Sequence, residues 1–195
     1  MASRDQRLVQ GGADQAGSQD QHAQRRSLLL RTLCSGSLAS VLSTVAVSIF
    51  SRRHCGATAA GTNAASQWIW YPRARHVARP SPMYTLSGYA IHHASSLLWG
   101  GVYETTRPRQ AALPGRVARA AGVATLAYVV DYHLVPRRFS PGFEHRIGAA
   151  GMCAAYAAFA VGLLLASRPR KARPARVART ARRLPGTAPG GTGEQ

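Results

Sequence analysis

The chain has 195 residues, enough for one ordinary domain, and carries 25 Lys and Arg against 7 Asp and Glu, a formal charge of +18. Only Lys171 of those cations is a lysine, and Ala, Gly, Pro and Arg are frequent throughout, so the basic excess is discounted as a sign of a nucleic-acid partner. Three cysteines without CxxC spacing, Cys34, Cys55 and Cys153, speak against a disulfide framework or a zinc site, and are expected to be small packing residues.

Where the charge lies says more than its total. Arginine crowds both tails and the connections, while four apolar runs are nearly free of charge, the pattern of a polytopic membrane protein. The expected fold class is all-α, an integral membrane four-helix bundle over residues 27–166, between a disordered polar N-terminal tail (1–26) and a disordered basic C-terminal tail (167–195).

Residues 1–26 are rich in Gln, Asp and Gly and lack an apolar period, the composition of a disordered segment. The first span, 27–50, lies between Arg25-Arg26 and Arg52-Arg53. Its run TLCSGSLASVLSTVAVSIF supplies the roughly 20 apolar residues a bilayer crossing needs, with Arg31 reaching back to the headgroups. Small residues recur at helical spacing along it, Gly36, Ser40, Thr44 and Ser48 on one stripe and Ser35, Ala39 and Ser43 on the next, which permits close helix approach. RRSLLL loosely resembles a twin-arginine export signal with Ala57-Thr58-Ala59 as its cleavage site, but Arg52 and Arg53 interrupt that path, and the run is kept as a span.

Residues 51–83 read as a loop broken by Pro72, Pro80 and Pro82, in which NAASQWIWY forms either a short interfacial helix, with Trp68, Trp70 and Tyr71 at headgroup depth, or an ordinary ordered loop. The second span, 84–104, follows Pro82 and stops before Arg107. The third, 118–135, contains AAGVATLAYVV, meets Asp131 and His133, and ends at Pro136. A turn-rich linker leads to the fourth, 147–166, whose Ala154, Ala158, Gly162 and Ala166 form a packing stripe. Arginine asymmetry near the span ends favours both termini in the cytoplasm.

The residues of chemical interest are His92 and His93, Glu104, Asp131 and His133. Adjacent helical positions are about 100° apart, so His92 and His93 cannot face the same pocket. Asp131 is the expected partner of whichever histidine faces inward if the second and third spans are antiparallel neighbours, whereas Glu104 belongs to the other end, near Arg107. A His–Asp or His–Tyr hydrogen bond that satisfies buried polar groups is the expected role. A metal or haem site in which His92 or His93 joins Asp131, His133 or His145, and a proton or small-solute pathway, are the alternatives. No HExxH or CxxCH motif, nucleophile–base pair or paired carboxylates occur at a recognisable spacing, so no cofactor and no catalytic residue is expected. In DYHLVPRRFSPGFEH, Asp131 and Glu144 are expected to pair with Arg137, Arg138 or Arg146.

A small-residue first span, a Trp-bearing loop, a second span with GYxIHHxSSLLWxxxYE and a third ending in DYxxxP resemble the YagU-like group of small four-span bacterial inner-membrane proteins. The likeness covers residues 27–166 and implies a membrane location and four helices, with no catalytic residue carried over. The partners expected are the lipid bilayer, a second copy or another membrane protein, and anionic headgroups that attract the arginine-rich tail of residues 168–183. That tail offers neither a folded reader nor aromatic platforms for nucleic acid.

Overall fold

The structure is a computed structural model that describes residues 2–108 and 112–167, with side chains from residue 17 onward. Those residues form helices α1 (Ala2–Cys55), α2 (Ala60–Ala65), α3 (Gln67–Trp70), α4 (Ser87–Thr105), α5 (Leu113–Val129) and α6 (Glu144–Ala166), and the fold is all-α. A 3₁₀ turn (Arg73–His76) and two π turns (Pro82–Leu86 and Val130–Leu134) complete the helical segments. Pro82 stands at the first position of its turn and Pro114 near the start of α5, where a missing backbone N–H costs nothing.

The four long helices run up and down as a bundle. α1 packs most extensively on α6 and next on α4, and α5 closes the ring against α6 and α4. Two glycines explain how α1 meets both neighbours. A Cβ on Gly36 would stand 2.8 Å from Leu97 Cα of α4, and one on Gly162 would run into the backbone of Ala39, so only hydrogen fits at either crossing. The interior joins Trp99, Tyr103, Val123, Phe159 and Leu163 toward one end, and Val47, Phe143, Ile147 and Met152 toward the other.

All four runs read as spans are helical, but only α1 and α6, among the described residues, are long and apolar enough to cross a membrane. The polar stretch 1–26, expected to be disordered, instead continues α1 as helix from Ala2. It holds no proline and is rich in Ala, Gln and Arg, which cost little in a helix once a packed apolar turn has nucleated it. The basic tail 168–195 lies outside the described residues, whereas Ser167 is buried against the bundle.

Three packing expectations change. Of the stripe Ala154, Ala158, Gly162 and Ala166 only Gly162 is fully buried, because Met152, Phe159 and Leu163 turn the inner face of α6 by one residue, to Gly151, Ala155 and Gly162. Cys34 and Cys153 point outward rather than packing inside, Cys55 is half-buried, and all three are free. The segment between α1 and α4 is neither purely interfacial nor a plain loop. Trp68 and Tyr71 are exposed, but α2 is buried along its whole length and caps one end of the bundle.

Two fully buried amides hold that cap. Asn63 donates from Nδ2 to Val77 O and Arg79 O at 3.0 and 2.9 Å and accepts from the Thr85 hydroxyl at 2.6 Å. Gln67 donates from Nε2 to the Ser140 carbonyl and accepts from Arg75 Nε, which ties α3 to the loop before α6. Such groups are tolerated inside because each finds its partners.

Candidate functional site

α4 turns its two histidines apart, as helical spacing requires. His92 faces the centre of the bundle, where its Nε2 lies 2.9 Å from Ser43 Oγ and its ring meets Phe143 edge-on at 5.7 Å. The same hydroxyl reaches the Ala39 carbonyl at 2.8 Å. With its one proton spent there, Ser43 accepts from His92 Nε2–H. His93 stacks on Tyr89 one turn earlier on its own helix, and its buried Nδ1 has no hydrogen-bond partner among the described residues.

Asp131 sits in the π turn that ends α5. That turn swings its carboxylate inward rather than toward the arginines of the following loop. Tyr156 of α6 donates its hydroxyl to Asp131 Oδ2 at 2.7 Å. The ion-paired loop expected for Asp131 and Glu144 is absent among the described residues. Glu144 instead meets His145, with 3.3 Å between Nε2 and Oε1, and Arg137 contributes its backbone carbonyl to Gln67.

His92 and Asp131 line one cavity of about 50 Å³, partly open to the outside, in the capped half of the bundle. One water needs roughly 10–15 Å³ of such space, so the chamber is large enough for about four. Ser43, Ser95 and Tyr156 add hydroxyls to its wall, and Trp99, Phe143 and Phe159 make the rest aromatic. Trp68 of α3 and Phe139 of the loop before α6 flank its outer side, their rings edge to face at 5.5 Å and the indole N–H bonded to Phe139 O at 2.6 Å.

No family model matches the chain, and no curated protein or solved structure matches it.

The remaining sequence-selected residues do not join this chamber. Glu104 lies at the opposite end with a side chain only 1% exposed, between Arg107 Nη1 at 3.4 Å and Arg31 Nε at 3.8 Å. Nearby, Arg116 donates to the carbonyls of Leu164 and Ser167, and Tyr103 and Ser167 join their hydroxyls at 3.0 Å. A cation is thereby placed on the C-terminal carbonyls of α6, where the helix dipole favours it. His133 is exposed and rests edge-on against Tyr128 at 5.6 Å. No group of three or more His, Cys, Asp or Glu able to hold a metal ion occurs among the described residues.

Sequence reasoning missed Ser43 and Tyr156, the direct partners of His92 and Asp131. Ser43 was counted only as a small residue for packing. Tyr156 carried a usable signal, as the lone hydroxyl-bearing aromatic in an otherwise apolar or small helix.

Proposed function

We propose that the protein is a four-span integral protein of the bacterial inner membrane, with both termini in the cytoplasm and a structural or accessory role rather than an enzymatic one. The observation that carries this reading is that large apolar side chains cover the outer faces while several polar groups are turned inward among the core. Leu33, Val41, Val45 and Ile49 of α1, Leu98 of α4, Leu126 of α5 and Leu165 of α6 face outward, while Ser35, Ser40, Ser43, Ser96 and Glu104 are buried. In water such a surface would be an aggregation hazard, whereas in lipid it is the favourable arrangement, with polar groups turned inward to partners. α1 and α6 supply two spans by length and composition, and α4 and α5 become the other two because they lie alongside them in one bundle. The resemblance to the YagU-like group points to the same location.

Reporter fusions after Ser81 and at the C-terminus test the span count. Opposite sides of the membrane are expected, with the C-terminus cytoplasmic, and both reporters on one side would refute four spans.

A second reading, a small-solute or proton pathway, is favoured by one specific feature. The His92–Asp131 chamber places ionisable groups and hydroxyls around a space large enough for water, and ionisable groups inside a membrane bundle commonly mark such routes. Uptake by proteoliposomes, compared between the natural chain and Asp131→Asn, separates this reading from a purely structural one.

A further inference from the structure

We infer that the chamber is a binding site for a small organic cation, an alkylated ammonium ion, with Asp131 as its counter-charge and the surrounding rings as its walls. The inference rests on the pathway reading of the same chamber and specifies its ligand.

The carboxylate of Asp131 is turned into the bundle, yet no ion pair forms on it among the described residues. Its bond is the neutral hydroxyl of Tyr156, at 2.7 Å. Both of the other inward acidic positions differ. Glu104 lies between two arginines, and Glu144 has His145 beside it. A carboxylate partly withdrawn from water and without a counter-charge is costly, and a cation entering the chamber would relieve that cost.

What surrounds Asp131 selects the kind of cation. Trp99, Phe143, Tyr156 and Phe159 line the cavity with it. Aromatic faces attract cations through the ring quadrupole, and several rings beside a single carboxylate suit an alkylated ammonium better than a strongly hydrated metal ion, which needs many oxygen ligands. A volume of about 50 Å³ suits an ion of a few heavy atoms and leaves no space for a nucleotide or a sugar.

The test uses the full-length protein in detergent and follows intrinsic fluorescence, because Trp68 and Trp99 both stand on the chamber wall. Tetramethylammonium chloride is titrated against tert-butanol, a neutral molecule of similar shape, and against sodium chloride at matched ionic strength. Tetramethylammonium is expected to give a saturable change that the other two do not. Asp131→Asn, which keeps the shape and an acceptor for Tyr156, is expected to weaken binding at least tenfold. Phe159→Leu should weaken it several-fold, and Glu144→Gln, outside the chamber, should leave it unchanged. An equal response to tert-butanol, no saturable response in the natural chain, or full affinity in a folded Asp131→Asn protein would overturn the inference. If Asp131→Asn does not fold, the contrast between tetramethylammonium and tert-butanol in the natural chain decides alone. Binding without uptake into proteoliposomes would uphold the site and remove the pathway.

Discussion

Glu104 is a buried acid and Asp131 a half-buried one, and their surroundings assign them different work. Glu104 is held by Arg107 and Arg31 at the end where α1, α4 and the start of α5 meet, and removing one partner of a buried ion pair typically costs about 3–5 kcal/mol. Glu104→Gln is therefore expected to lower the midpoint of thermal unfolding in detergent clearly, with the His92–Asp131 chamber intact. Tyr156→Phe removes a single hydroxyl bond to Asp131. Such bonds between helices in membranes average about 0.6 kcal/mol, and one to a charged group reaches about 1.5–3 kcal/mol, so a loss near 1 kcal/mol is expected. A double-mutant cycle with Asp131→Ala, which leaves Tyr156 no acceptor at that position, checks it, and additive effects would mean that the two side chains do not interact.

At the scale of elements, α1 decides the fold because it packs on both α4 and α6. Its crossings depend on absent side chains. Gly162→Val would drive a branched carbon into the backbone at Ala39, and neither helix can yield without parting the bundle. Loss of the folded, monodisperse species in size-exclusion chromatography is expected. Gly122→Ala on α5 is the matched contrast, because nothing lies within 4 Å of its Cβ position. There the gain in helix propensity, about 1 kcal/mol, should leave stability equal or slightly raised in the same thermal measurement.

For the whole molecule, the natural cysteines report on the surrounding solvent. Cys34 and Cys153 point outward from the apolar segments of α1 and α6, where a bilayer would cover them and water would not. In intact membranes a charged maleimide is expected to leave both unlabelled and to modify them after solubilisation in sodium dodecyl sulfate. Prompt labelling of both in the native state would mean that these faces meet water, and the four-span reading would fall.

The helices, and the fact that only one histidine of the pair can face inward, were legible in the chain because both follow from local periodicity. Apolar runs with small-residue spacing mark α1, α4, α5 and α6, and the 100° step between neighbours separates His92 from His93 wherever the helix is placed. The pairing of Glu104 with Arg107 was equally local, three residues apart on one helical end. Tertiary structure decided the rest. Whether His92 or His93 points inward depends on how α4 is rotated against α1, which the contact of Gly36 with Leu97 sets. Asp131 finds Tyr156 rather than Arg137 because a π turn at the end of α5 re-aims it, and the inner face of α6 is offset by its bulky residues. The buried cap of α2, with Asn63 and Gln67, had no periodic signal, because its stability comes from hydrogen bonds to carbonyls up to 73 residues away in the chain. A helix's own repeat can specify its faces, but only the neighbour packed against it decides which face becomes a site.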